Sequence, residues 1–255
     1  MVMAEATNHY FKHLGVSDGL SQVCIPSIYQ DELGAVWLGT TEGLNRYNGK
    51  DVRVFQPSES NHGLTNNEIN ELCGDKNGRM YIRSGNDLIK LDIYTEQFTC
   101  LRQKGVYGLF CKKDTLWVSC ADGIYYYTGQ GTELTFFARV QKGFVGRALY
   151  VDRETVWVVT RKYLVAISRE DPLRQEILLT LDKGNCILGD SSGNIWVGAW
   201  NGLYRVSPDR ETTAYVSHSG MGELSDNQVR CVLEDDFKHI WVGTFTVSYT
   251  HLRAH

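Results

Sequence analysis

Six short segments of this chain share an aromatic residue followed by aliphatic or β-branched residues, and they recur at a nearly regular distance. The aromatic anchor positions are separated by 44, 36, 40, 39 and 45 residues, and they are Trp37, Tyr81, Trp117, Trp157, Trp196 and Trp241. A period of about forty residues fits four short strands per unit and is too long for a leucine-rich or ankyrin repeat. The spacing therefore predicts the blades of a β-propeller.

Each repeat carries the local pattern of an antiparallel blade. An Asp-x-x-Gly segment precedes the anchor at 31–34, 75–78 and 190–193, and this is the chemistry of a tight turn whose glycine accepts a positive φ. Seven residues after the anchor, five copies have an aliphatic residue: Leu44, Leu88, Ile124, Leu164 and Leu203. A single four-stranded sheet cannot bury both of its faces, so we expect the blades to stack radially.

We therefore predict an all-β fold, an incomplete β-propeller of four-stranded antiparallel blades with about five and a half blades in residues 1–245. The predicted blade intervals are 25–56, 69–102, 106–138, 147–181, 185–217 and 228–245. A spacing of 9, 5 and 12 residues leads into three anchors, through Phe11, Leu20, Ile25 and Trp37, through Phe55, Leu64, Ile69 and Tyr81, and through Tyr215, Leu224, Val229 and Trp241. It gives residues 8–14 the position of an outer fourth strand, and we expect them to close the last blade of the ring and cover its edge.

The repeat stops abruptly after Thr244, because the expected glycine and aliphatic residue are replaced by Val247 and Ser248. We interpret residues 246–255 as a non-native or disordered tail. His251 and His255 in this tail have the spacing of a metal pair on a helix, but no third ligand accompanies them. We predict neither a metal nor a cofactor.

Composition limits the classes of partner. The net charge of -4 gives no basic surface for nucleic acid, and no apolar run is long enough to span a membrane. The seven cysteines include no C-x-x-C pair, so we expect buried free thiols at Cys73, Cys111 and Cys231, with a disulfide framework as the alternative.

The segment Gly189 to Gly193 matches the nucleophile motif G-x-S-x-G, but it offers little support for an enzyme. That motif requires a helix after the serine, whereas here the segment occupies the repeat's turn and a strand follows. The histidines are dispersed and show no ligand spacing. We therefore predict that this chain has no catalytic residues.

Three stretches of the repeat resemble a known family. Residues 18–21 with 28–49, residues 193–205, and residues 224–229 with 241–244 are similar to the two-component regulator propeller repeats, and the resemblance extends over residues 8–245. It implies a seven-bladed ring in the periplasmic sensor region of a hybrid two-component histidine kinase of the inner membrane. It further implies control of polysaccharide utilisation, a homodimer of the full-length sensor, and attachment to the membrane through segments downstream of this chain.

The loops between second and third strands share one face of a propeller with the connections between blades, and recognition is usually located in such loops. Five of the six tryptophans are anchors, which leaves Trp200 beside Asn201 to stack on a sugar ring. Arg161, Lys162 and Arg83 lie in equivalent places and suit uronate or sulfate groups. The predicted ligand-binding residues, with an oligosaccharide as the ligand, are Trp200, Asn201, Arg161, Lys162, Tyr163, Arg83 and Glu42.

Three alternatives stay open. Trp200 could instead cover the neighbouring blade. A protein-interaction scaffold would use the same face, although the Trp-Asp dipeptide of WD repeats is absent. A carbohydrate-active propeller enzyme would have to rely on Tyr163 and Glu42, the candidate catalytic groups in these loops.

Overall fold

The computed structural model of the protein describes residues 13–57, 63–217, 224–246 and 250–252. These residues form 23 strands and two short 3-10 helices, at Val16–Asp18 and Gln141–Gly143. All the strands pair antiparallel, in chain order, within six separate sheets. The predicted all-β, blade-based fold class is confirmed.

Five sheets have four strands each, and we call them blades 1 to 5. Blade 1 contains β1 (Ser27–Gln30), β2 (Val36–Thr40), β3 (Gly43–Tyr47) and β4 (Val52–Phe55). Blade 2 contains β5 (Ile69–Gly74), β6 (Arg79–Ser84), β7 (Asp87–Asp92) and β8 (Gln97–Arg102). Blade 3 contains β9 (Val106–Lys112), β10 (Thr115–Cys120), β11 (Gly123–Tyr127) and β12 (Thr135–Ala138).

Blade 4 contains β13 (Gly146–Val151), β14 (Thr155–Thr160), β15 (Tyr163–Ser168) and β16 (Gln175–Thr180). Blade 5 contains β17 (Cys186–Gly189), β18 (Ile195–Ala199), β19 (Gly202–Val206) and β20 (Thr212–Tyr215). The sixth sheet, blade 6, has three described strands: β21 (Val229–Glu234), β22 (Ile240–Thr244) and β23 (Thr250–Leu252). Each of the first five predicted intervals holds one four-stranded sheet, with β13 beginning one residue earlier than its interval.

The two ends of the predicted ring differ in what the structure describes. The closing strand predicted at 8–14 lies outside the described residues except for His13 and Leu14, which are not in a strand. At the other end, residues 250–252 pair with β22, so the interpretation of a disordered tail does not hold for them. Without β23, the outer edge of β22 would present unpaired N–H and C=O groups, and any extended segment can satisfy such groups. The seven-bladed ring and the non-native origin of the tail stay predictions.

One hydrogen bond recurs in four blades, buried in blades 1 and 5 and more accessible in blades 4 and 6, and we call it the Asp–Trp clamp. The turn aspartate before the anchor accepts a hydrogen bond from the indole Nε1 of the anchor tryptophan at 2.6 to 2.8 Å. The four pairs are Asp31–Trp37, Asp152–Trp157, Asp190–Trp196 and Asp235–Trp241. The second carboxylate oxygen accepts backbone N–H groups of the same turn, as from Ser192 and Asn194 to Asp190. One carboxylate therefore closes the turn and fixes the anchor.

The anchors form the interfaces between blades. Each of the five hydrophobic clusters combines the anchor of one blade with residues from the second strand of the next, as Trp157 does with Val197. The anchors of the first five blades are at most 5% exposed, whereas Trp241 is 38% exposed because no described sheet follows blade 6. Burial of the anchor thus depends on the neighbouring blade.

Two interfaces also contain a tyrosine seated over a glycine of the next blade. A Cβ atom at Gly189 would lie 2.0 Å from the Tyr150 ring, and one at Gly74 would lie 2.2 Å from the Tyr29 hydroxyl. Glycine is required there for space, since neither residue has a positive φ.

All seven cysteines are free thiols, so the disulfide framework is wrong. Cys73 and Cys111 face each other across blades 2 and 3, and a hydrogen bond between the thiols and burial together raise the pKa of Cys73. Cys231 was expected to be buried but is exposed, because no described sheet covers blade 6.

Removal of one Asp–Trp clamp should destabilise the fold. Asp190→Ala leaves the buried indole N–H and two partly buried backbone N–H groups of the turn without their acceptor, so we expect the free energy of unfolding to fall by about 3 kcal/mol. Urea denaturation of both proteins measures this difference. The control is Asp209→Ala, an exposed turn aspartate of the same blade. Equal losses in the two variants would contradict the structural role of the clamp.

Gly189→Ala should also destabilise the protein, because the added methyl group collides with Tyr150 across the interface of blades 4 and 5. We expect a loss of about 2 kcal/mol from overpacking, measured by thermal unfolding. Gly15→Ala is the matched control, since its Cβ meets no atom closer than 3.8 Å. Unchanged unfolding of Gly189→Ala would show that the interface is loosely packed.

Candidate functional site

The loops between second and third strands lie against the connections between blades, and together they form what we call the loop face. Backbone hydrogen bonds join the two sets of loops: Gly85 N donates to Glu68 O, Ala121 N to Gly105 O, and Trp200 N to Asp182 O. The first strand of each blade begins at this same face. The predicted site residues therefore share one side of the molecule, but they fall into separate groups.

Arg161, Lys162 and Tyr163 follow β14 in blade 4. The first two are exposed and line a cavity of about 370 Å³, whose walls include Tyr107, Phe144 and Arg147. Tyr163 is half-buried, and its ring packs on Phe144 with 4.9 Å between ring centroids. Tyr163 thus supports this wall through packing, while Arg161 and Lys162 supply its positive charge.

Trp200 and Asn201 lie farther along the loop face. Lys183 Nζ lies 3.6 Å from the centroid of the half-buried Trp200 ring, and the guanidinium of Arg230 lies 5.7 Å from it. Because Arg230 belongs to blade 6, Trp200 bridges two blades, which supports the alternative that it covers its neighbour. Asn201 Oδ1 accepts the backbone N–H of Asp182 at 3.1 Å, so this amide helps to fix the connection between blades.

Arg83 belongs to blade 2 and Glu42 to blade 1, whereas the other predicted site residues belong to blades 4 and 5. Arg83, at the end of β6, is half-buried, and its Nε lies 3.3 Å from Glu71 Oε2. Glu42 is exposed in blade 1 and lines neither of the two cavities described here. The structure thus brings Arg83 toward Arg161 and Lys162, through shared walls, but leaves Glu42 apart.

A larger cavity of about 550 Å³ opens where the first strands of blades 2 to 4 begin. Nine residues line this central cavity: Asn66, Glu68, Asn70, Arg83, Gly85, Asn86, Tyr107, Arg147 and Asn185. Tyr107 and Arg147 also line the smaller cavity, so the two cavities adjoin across these residues. Sequence reasoning missed Tyr107, Arg147 and Asn185 because it considered the loops alone. For Tyr107 and Arg147 the usable pattern was their position directly after the buried residue that begins the first strand.

Arg83, which lines the central cavity, is paired with a carboxyl group of altered pKa, that of Glu71. Burial raises the pKa of Glu71 to about 7, although the charge of Arg83 and hydrogen bonds to Arg83 and the Leu109 backbone act in the opposite direction. A protonated Glu71 would leave the Arg83 guanidinium without a counter-ion. The net charge of the Glu71–Arg83 pair therefore changes near neutral pH.

This pKa gives a prediction for stability. The folded protein holds the Glu71 proton more tightly than the unfolded chain does. The contribution of Glu71 to the free energy of unfolding should therefore fall as the pH rises from about 4.5 to about 7. Glu71→Gln cannot ionise, so its stability relative to the unaltered protein should rise over that pH range. Urea unfolding at several pH values measures this, with the exposed Glu68→Gln as control. A difference that does not vary with pH would contradict the raised pKa.

Two further observations concern metal ligands and membrane-spanning helices. Among the described residues, no group of three His, Cys, Asp or Glu side chains is arranged to hold a metal ion. Within the same residues, no helix has the length and apolarity to cross a membrane. The polar side chains that line the two cavities are asparagines, a tyrosine, a threonine and charged groups.

Comparison with known proteins identifies the repeat. Residues 223–246 match the family model of the two component regulator propeller. The curated protein "Histidine kinase P4" of Formosa agariphila is 38% identical over 53 residues, which are 21% of this chain and 4% of that protein. The resemblance to two-component regulator propeller repeats is thus confirmed.

Solved structures agree on the fold. The extracellular domain of BT3049 from B. thetaiotaomicron, named as part of a hybrid two component system, superposes with a TM-score of 0.72 at 20% identity and covers 94% of this chain. This chain spans 41% of that domain. Virginiamycin B lyase from Staphylococcus aureus has a TM-score of 0.67 at 10% identity, covering 91% of this chain and 84% of the lyase. These identities support a common fold and no more.

Proposed function

We propose that this chain is part of the extracytoplasmic, ligand-sensing region of a hybrid two-component system, and that it binds an oligosaccharide on its loop face. The matched repeat and the histidine kinase with a related segment support the sensor role. The likeness to an extracellular domain of a hybrid two component system supports a location outside the cytoplasm, which we take to be the periplasm. Regulation of polysaccharide utilisation is part of this proposal.

The observation that carries the binding role is the pair of joined cavities on the loop face. Together they have the size of a small-ligand site, and their walls are rich in amide and cationic groups. Sugar hydroxyls are recognised by such amides, and a rigid ring of blades holds them in place. A sensor needs affinity that differs between two conformations, so moderate contacts are sufficient.

Catalysis is the second candidate, because the lyase shares the fold over most of its length. A histidine-to-alanine variant of that lyase is named as catalytically inactive. In this chain, no histidine of the described residues lines either cavity. This observation favours sensing over turnover. A homodimer of the full-length sensor, with contact to the membrane through other segments, completes the proposal, and a scaffold that binds proteins is the alternative for the same face.

Replacement of Trp200 and Arg161 by alanine should weaken saccharide binding, since both residues present polarisable or charged surface on the loop face. We expect at least about a tenfold loss in affinity by calorimetry, together with reduced signalling in a sensor that contains this domain. Lys50→Ala, in the turn between β3 and β4 at the opposite face, serves as the control. Unaltered binding and signalling in the double variant would rule out Trp200 and Arg161 as ligand contacts.

A further inference from the structure

The first strands of four blades contain the same irregularity, a β-bulge at the end nearest the loop face. In blade 2 the register passes from Ile69↔Ser84 to Glu71↔Arg83, which leaves Asn70 without a paired residue. The same shift isolates one residue in blades 3, 4 and 6, and the bulged residues are Asn70, Tyr107, Arg147 and Arg230. A bulge inserts one extra residue and turns its side chain away from the regular alternation, often beside a binding site.

The residues around each bulge are alike, whereas the bulged residues differ. The residue that precedes each bulge is buried, and these four residues are Ile69, Val106, Gly146 and Val229. The bulged residues are an amide, a phenol and two guanidinium groups, and all are half-buried or exposed. The scaffold is thus repeated while the presented chemistry changes, as expected for positions that determine specificity.

Three of these four residues meet in one place. Asn70, Tyr107 and Arg147 all line the central cavity. Asn185, which lies directly before β17 in blade 5, lines it too, and its Nδ2 donates to Arg230 O of the fourth bulge at 2.9 Å. We call Asn70, Tyr107, Arg147, Asn185 and Arg230 the bulge ring.

The charged groups around the bulge ring favour an anionic ligand. Arg83 is paired with Glu71, and Glu68 is the acidic residue in the described lining of the central cavity. Arg147 has no ion-pair partner among the described residues, nor do Arg161 and Lys162 in the adjoining cavity, where no acidic side chain lies in the described wall. An anion beside Arg147 therefore satisfies an open positive charge.

We infer that the bulge ring recognises a uronic acid residue, whose carboxylate pairs with Arg147 while its sugar ring packs against Tyr107. The planar guanidinium binds a carboxylate through two parallel hydrogen bonds, which a neutral hexose cannot provide. Asn70 and Asn185 also line the cavity, and because their Nδ2 groups donate to backbone carbonyls, their Oδ1 atoms are the groups that can accept hydrogen bonds from sugar hydroxyls. This inference rests on the proposed saccharide-binding role and specifies the ligand class and the residues that select it.

The test is calorimetric titration of the chain with oligosaccharides of glucuronate, galacturonate, mannuronate and guluronate, each compared with the neutral hexose oligosaccharide of the same linkage. We expect at least one uronate to bind at least about tenfold more tightly than its neutral counterpart. Arg147→Gln should remove that preference and Arg147→Glu should abolish binding of the uronate. Arg153→Gln and Arg153→Glu are matched controls, because Arg153 is an exposed arginine just beyond the opposite end of β13, and they should bind as the unaltered chain does.

Each result separates the two proposals. Equal affinity for uronate and neutral sugars would overturn the bulge-ring inference and leave saccharide sensing intact. Normal binding of uronate by the Arg147 variants, together with weakened binding by the Trp200→Ala, Arg161→Ala double variant, would likewise overturn the bulge-ring inference and leave saccharide sensing intact. Failure of every saccharide, charged or neutral, to bind would overturn both. We expect the circular dichroism spectra of the Arg147 variants to match that of the unaltered chain, because the altered side chain is exposed.

Discussion

The hydrogen bond from an anchor indole to a turn aspartate is the interaction on which the rest of this structure depends. An indole buried between two sheets must have its N–H paired, and the aspartate provides the acceptor while it closes the adjacent turn. This carboxylate thereby connects the turn, the second strand and the interface between blades. Blades 2 and 3 show what happens without a complete clamp. In blade 2 the anchor is Tyr81, and Asp75 pairs with Arg79 instead. In blade 3 the turn before Trp117 has no aspartate at the clamp position, and the guanidinium of Arg169 lies 5.6 Å from the centroid of the indole ring.

The period of the anchors was sufficient to predict the class of fold, because a forty-residue unit with strand-forming residues has few solutions. The turns were also predictable, since Asp-x-x-Gly specifies its own hydrogen bonds. The bulges were not predictable, because a bulge is a mismatch in the pairing of two strands, and the spacing of the anchors gives no sign of it. That is why Arg147 and Tyr107 escaped notice, whereas Arg161 and Lys162, which lie in recognisable loops, did not. Trp200 was singled out as the surplus tryptophan, but its contact with Arg230 of blade 6 depends on tertiary structure and was beyond the sequence pattern.

The loop face combines rigidity and variation in a way that suits recognition. Its backbone is fixed by hydrogen bonds between neighbouring loops, so the chemistry of the face is determined by a few side chains. Glu71 adds a dependence on pH, because its proton decides whether Arg83 is neutralised. A change in that proton alters the field in the cavity without moving the scaffold.

The tyrosines seated over glycines have an evolutionary consequence. Tyr29 requires the space at Gly74, and Tyr150 requires the space at Gly189, whereas Cys73 meets Cys111 at the corresponding position between blades 2 and 3. Repeats that look interchangeable by their anchors therefore differ in the interfaces that they can form. Deletion of blade 2, for example, would place Tyr29 of blade 1 against blade 3, which has Cys111 and not a glycine at that position. Recombination of the array therefore depends on which two faces meet at a new junction, and not only on the anchors.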